Sequence, residues 1–257
     1  MLGQLLVGFA VVAGAVSLWT RRLSIGNAWE RDTTLALIFI VAATAMVSPI
    51  LSANSFVIFR DLSGLYNLEQ LPGVLLCAVG DILICSMLLR RMVEEPEYSR
   101  ILKTRVVAPA VVAVAASWLF FFAGGAHRDP VALQHTADMG PINRWMQAYW
   151  ITTAVILTYL MWFAFRQLLS LREDRRHRPI ADIYLVAVMA GMAVGVIGIV
   201  TALAGYTNMA INVIVTVTMA IWVGGLAFGA SYSWRRKLRR FNMTDFQRDL
   251  DSLDELG

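Results

Sequence analysis

Asp81 stands near the middle of an apolar run, in the stretch Val79-Gly80-Asp81-Ile82. A carboxylate at the centre of a bilayer costs roughly 2.5–3.5 kcal/mol on insertion scales. Such a residue faces a bundle interior, carries a proton or meets a wet cavity. Cys77 and Cys85 flank it at four-residue steps, so the three share one slowly drifting stripe of a helix. Gly80 beside it admits a close approach by another backbone. Two chemistries fit this pattern. One is proton or ion handling. The other is a polar latch, with Asp81 hydrogen-bonded to a group such as Asn212 or Thr216 of the last apolar run. The two cysteines lie about 12 Å apart along one helix at 1.5 Å per residue, too far for a mutual disulfide.

Other chemistries lack their residues. No second acid or base sits at mid-depth in any apolar run. Asp182 lies two residues into its run beside Pro179, where it suits the positive end of a helix dipole. The last run has no lysine for a retinal Schiff base, and all three histidines lie outside the runs, so haem ligation fails. A second membrane aspartate, a membrane Ser–His pair and a phosphate-binding loop are also missing. His127, His135, Asp129 and Asp138 share one loop, but their spacing matches no closed zinc site. The expectation is a non-enzyme without metal or cofactor.

These residues need elements to hold them. The chain has 257 residues, 58% hydrophobic and only 16% charged, with a mean hydropathy of +0.62. Soluble domains average about 45–50% apolar and about 25% charged. The composition excludes a disordered chain, a disulfide scaffold and a nucleic-acid-binding domain. A membrane-crossing helix needs about 20 apolar residues. That window predicts seven spans, at 2–19, 33–51, 71–89, 106–125, 147–165, 180–204 and 209–234. The predicted fold is all-α, a polytopic seven-transmembrane-helix bundle over 1–234. A basic, then acidic tail follows over 235–257.

Charge predicts the orientation. Lysine and arginine collect in cytoplasmic loops. With the N-terminus outside, only Arg60, Arg128 and Arg144 fall on the exported side, and the other 19 of the 22 basic residues fall inside. Arg21 and Arg22 follow the first run rather than precede it, which fits a retained anchor better than a cleaved signal peptide. The net charge of +4 is therefore mostly a record of topology, and the expected location is the plasma membrane with its C-terminus in the cytoplasm.

Small residues predict how the spans touch. Ala187, Gly191 and Gly195 recur at four-residue steps in the sixth span, as do Gly225 and Gly229 in the seventh. Such faces let helices pack closely, within the chain or between copies. Trp19, Trp145, Trp150 and Trp234 fall near expected interfaces. In the tail, Thr244 to Gln247 has capping-box spacing, and Phe246, Leu250 and Leu253 follow at helical intervals. A short amphipathic helix is expected from about Asp245. It is either a solvated end or a docking site for a cytosolic protein. The expected partners are the lipid bilayer and that cytosolic protein, with no nucleic acid.

The stretch Asp61-Leu62-Ser63-Gly64-Leu65-Tyr66-Asn67-Leu68, the basic loop after the third span and the segment from Tyr159 to Arg166 carry a family likeness. On these residues the chain resembles an actinobacterial family of uncharacterised seven-helix membrane proteins, some of them labelled transporters. The likeness covers the helical bundle and is most specific at Gly64 and Asn67-Leu68. Family members usually continue into a cytoplasmic region, where this chain has only its tail. The resemblance implies a seven-helix fold and no catalytic residue. Physically, Gly64 suits a tight turn and Asn67 suits a cap ahead of the third span. The expected function is a non-enzymatic sensor or interaction protein acting through a partner. The alternative is a small transporter or channel that uses Asp81 for coupling.

Overall fold

The computed structural model describes residues 2–22, 28–47, 60–128, 143–175, 177–205 and 209–254, with backbone alone over 238–254. Seven long helices are present among these residues. They are α1 (Leu2–Thr20), α2 (Ala28–Val47), α3 (Gln70–Leu89), α4 (Glu97–Ala123), α5 (Arg144–Glu173), α6 (Arg178–Ala204) and α7 (Met209–Asp254). No strand occurs among the described residues.

Five of them, α3 to α7, are long and apolar enough to cross a membrane. The expected count was seven, and α1 and α2 are not among these five. The first turns of α2 carry Glu30, Arg31 and Asp32, so a full-length window there is too charged. The exposed faces are strongly apolar. Phe9 and Trp19 on α1, Val112 and Leu119 on α4, Val200 and Leu203 on α6 and Phe228 on α7 all point outward. Water would not tolerate so much apolar surface, whereas a lipid surround accepts it. The chain is an all-helical integral membrane protein.

Local chemistry explains the helix ends. Asn143 caps α5, its side chain accepting the Trp145 N–H at 2.9 Å. Pro179 sits in the first turn of α6, and Gly205 closes that helix at φ +74°; this is the usual division of labour between proline and glycine. Helix α4 starts nine residues before the expected 106 and contains a π-helical stretch over Leu102–Val107. Pro109 accounts for this. It has no N–H for the carbonyl four residues back, at Arg105. The Tyr159 hydroxyl of α5 donates to that Arg105 carbonyl at 2.6 Å instead. A widened turn with an outside donor is a recognised way for a helix to carry proline.

Sequential helices pack side by side, and α7 closes the bundle by packing on α1. Helix α3 is the most enclosed of the membrane-length helices. It lies against α2 and α5, with α4 packed outside on α5. The glycine faces act inside the chain. A Cβ on Gly191 would meet Met161 and Trp222 at 3.0 Å, and one on Gly225 would meet Ala187 at 2.9 Å. A Cβ on Gly229 would meet Ile183 and Tyr184 at 3.2 Å. Gly195 is tighter still: a Cβ there would overlap the Thr158 hydroxyl and sit 2.9 Å from the Ala154 carbonyl. These residues seat α6 between α5 and α7. Helix α7 does not stop at 234. It continues unbroken to Asp254, so no new helix begins at Asp245.

Candidate functional site

The two ends of the bundle are built differently. At the end where α3 finishes, charged residues are buried in pairs. Arg21 has no exposure and Glu30 has 1%. The Arg21 Nη2 contacts Glu30 Oε2 at 2.7 Å, and its Nε and Nη2 reach the Thr34 hydroxyl at 3.3 and 3.1 Å. The Arg21 Nη1 donates to the Ala230 carbonyl, and Lys237 pairs with the other Glu30 oxygen. Three helices, α1, α2 and α7, thus converge on one carboxylate. Beside it, Ser17 donates to the Ala227 carbonyl at 2.9 Å.

A second network ties α2, α3 and α4 at the same end. Ser86 donates to Asp32 Oδ2 at 3.2 Å and shares a 2.9 Å hydrogen bond with the Tyr98 hydroxyl. Arg90 Nε donates to Tyr98 at 3.0 Å and lies 3.5 Å from Asp32. Asp182 also has a partner there, Arg172 of α5 at 2.7 Å, beyond the helix-dipole role expected of it. Sequence reasoning missed both networks. Arg21 and Arg90 read as topology charges, and nothing in the order of residues links Glu30 to Lys237, 207 positions away.

The other half of the bundle holds a cavity of about 380 Å³. Five helices wall it, and each contributes the same half of its length. These are the end of α2 (Ala43, Thr44), the start of α3 (Gln70 to Asp81), the start of α5 (Tyr149 to Leu160), the end of α6 (Val194 to Ala202, with Gly205 just past it) and the start of α7 (Ile211 to Trp222). Most of the lining is apolar. The small residues of α3 and α6 make room for it, since Gly73, Ala78, Gly195 and Gly198 all lie on the wall.

Asp81 is the last residue of α3 on the cavity wall. It is 1% exposed, and its Oδ1 has no hydrogen-bond partner. Its Oδ2 has only the Cys77 thiol, at 3.9 Å. The same depth is marked by Leu160, whose carbonyl accepts from Cys85 Sγ at 3.5 Å. Trp222 belongs to this floor too. Its Nε1 lies where a Gly191 side chain would point, next to Met161, and it has no acceptor. Nearer the Gln70 end stands Tyr149, fully buried with a hydroxyl that also has no partner. A buried polar group without a partner costs free energy comparable to a lost hydrogen bond. An unpartnered carboxylate on a cavity wall points to something that occupies the cavity.

The structure therefore divides the expected polar set. Asp81, Cys77 and Asn212 line the cavity together. Cys85 does not; it is fully buried one turn deeper, against α5. Thr216 donates to the Asn212 carbonyl at 2.6 Å and is not on the wall. Trp222 and Tyr149 went unnoticed in the sequence because a tryptophan and a tyrosine in apolar runs read as packing or interface residues.

The Gly64–Asn67 motif forms a structural clasp at the cavity end of the bundle. Gly64 has φ +70° and Asn67 φ +57°. The Asn67 side chain donates to the Ala126 carbonyl at 2.9 Å, and the Tyr66 N–H donates to that of His127 at 2.9 Å. Asn67 thus fastens the approach to α3 onto the end of α4, and its backbone carbonyl accepts from the Gln70 N–H at the start of α3. Glu69, next in line, is 3% exposed. Burial pushes its carboxyl above the usual range, only partly offset by a backbone hydrogen bond. Among the described residues no group of three or more His, Cys, Asp or Glu could hold a metal. His135, Asp129 and Asp138 lie outside the described residues.

Searches against protein-family models, curated proteins and solved structures find no match to this chain. The reading of the site rests on its own geometry.

Proposed function

We propose that this chain is a membrane receptor. A small molecule in the cavity moves α7, and the extension of α7 carries the change to a protein partner. One observation supports this reading above the others. Residues from Ile211 to Trp222 wall the cavity, and the same helix runs without a break to Asp254. Between the two, Lys237 pairs with Glu30, so a shift of α7 strains or releases the buried ion cluster. A long rigid helix that binds at one end and presents charge at the other is a mechanical link, and packed bundles switch between discrete arrangements rather than deform smoothly.

The receptor reading takes α1 and α2 as additional spans, giving seven, with the N-terminus outside and the tail in the cytoplasm of a plasma-membrane protein. The uneven distribution of arginine supports this orientation. A cytoplasm-active reporter fused after Gly257 is expected to work, and a reporter active only outside the cytoplasm is expected to stay silent. The reverse result would invert the cavity and remove the basis for sensing outside molecules.

The coupling itself can be tested without a ligand. Val215 lies on the wall from α7, so Val215→Trp fills part of the cavity. Spin labels on Met92→Cys and Ser252→Cys then report the distance between the bundle and the end of α7. A shifted distance distribution in the filled variant is expected. An unchanged distribution would sink the receptor reading. Asp81 on the cavity wall favours a second reading, a proton- or ion-coupled transporter. A transporter alone in vesicles would show proton flux that Asp81→Asn stops, and a receptor would show none.

A further inference from the structure

We propose that the cavity takes a lipophilic organic monocation, an amine or quaternary ammonium on a small apolar body, with its charge held against Asp81. The inference shares with the receptor reading only the premise that the cavity is a ligand site.

Charge selects the sign. Asp81 is the one carboxyl among the described residues of the wall, and no lysine, arginine or histidine joins it there. An anion would meet that carboxylate with nothing to offset the repulsion. A neutral hydrocarbon would leave Asp81 Oδ1 without a partner, as it stands now. A cation meets it with an opposite charge in a medium where the attraction is strong.

The wall fits the rest of such a molecule. Tyr149, Trp150 and Trp222 bring aromatic rings to the cavity, and ring faces attract ammonium groups, tryptophan most of all. The apolar remainder suits a hydrocarbon body. The volume of about 380 Å³ lies in the range of about 300–1,000 Å³ typical of small-molecule pockets.

The test uses the full chain in phosphatidylglycerol nanodiscs, with empty discs as the blank. Calorimetric titration with benzyltrimethylammonium is expected to show saturable binding. Asp81→Asn, close to isosteric, is expected to weaken it by about tenfold or more, equivalent to at least ~1.4 kcal/mol. Neopentylbenzene, the uncharged carbon isostere, and phenylacetate, an anion, are expected not to displace the cation from the unaltered protein. Three results would each overturn the proposal: no saturable binding, binding indifferent to Asp81→Asn, or equal competition by neopentylbenzene. The spin-label distance in Val215→Trp needs no ligand, so the receptor reading and the choice of ligand can fail separately.

Discussion

Replacing Glu30 with leucine is expected to destabilise the protein by about 3–5 kcal/mol, the usual cost of removing one partner from a buried ion pair. Arg21 is left as a buried guanidinium without its carboxylate, with its contacts to the Thr34 hydroxyl and the Ala230 carbonyl in place. Lys237 is 38% exposed at its side chain and can turn toward solvent, so Arg21 bears most of the loss. Arg21→Met alone is expected to cost less, because Lys237 stays paired with the Glu30 carboxylate. The double variant Arg21→Met/Glu30→Leu is expected to recover much of the loss, since an apolar pair of similar size avoids desolvating two charges. The exposed pair Arg100–Glu97, at 3.5 Å, is the control. Its loss through Glu97→Ala is expected to cost about 0–1 kcal/mol. Thermal unfolding in detergent, followed by a thiol-reactive dye on buried Cys85, measures all four. A Glu30→Leu midpoint no lower than that of Glu97→Ala would show that the cluster does not hold α1, α2 and α7 together.

Gly195→Val is expected to be the most damaging of the glycine substitutions. Inserted methyl groups in a tight core cost typically about 1–3 kcal/mol and occasionally more. Here the atoms in the way are the Thr158 hydroxyl, the Ala154 carbonyl and the Thr158 nitrogen. Two of those three belong to backbone, so no rotamer change relieves the clash. The expected loss is therefore at the upper end, about 3 kcal/mol or more. Helices α5 and α6 must separate, and both wall the cavity. Gly224→Val is the control, since a Cβ there meets nothing within 4 Å. The same unfolding assay decides the matter. Equal midpoints for the two variants would mean that α6 does not depend on this contact to seat against α5.

The sequence was informative where the physics is local. Hydropathy located α3, α5 and α6 to within a few residues at the cavity-forming ends, because an apolar run needs no tertiary partner to be recognised. Pro179 marked the start of α6 for the same reason. Gly64 announced its tight turn. The four-residue spacing of Gly191 and Gly195, and of Gly225 and Gly229, showed which faces pack closely. Asp81 stood out because a lone carboxylate in an apolar run is costly wherever it points.

Other features depend on pairs of residues far apart in the chain. The start of α4 was placed nine residues late because Arg100, Lys103 and Arg105 end the apolar run while the helix runs through them, and the hydrogen bond from Tyr159 to the Arg105 carbonyl spans 54 positions. The stripe of Cys77, Asp81 and Cys85 looked uniform on a helix drawn alone. Only the packed bundle turns the first two to a cavity and buries the third against Leu160. By itself, then, the sequence determined the helical class, the apolar segments, the close-packing faces and the exceptional status of Asp81. The tertiary structure alone decided that Arg21, Glu30 and Lys237 meet as one buried cluster, and that Asp81, Tyr149 and Trp222 face one cavity. The reason is that hydropathy and spacing act along a helix, whereas desolvation of a charge and an unfilled space are properties of what the neighbouring helices bring alongside.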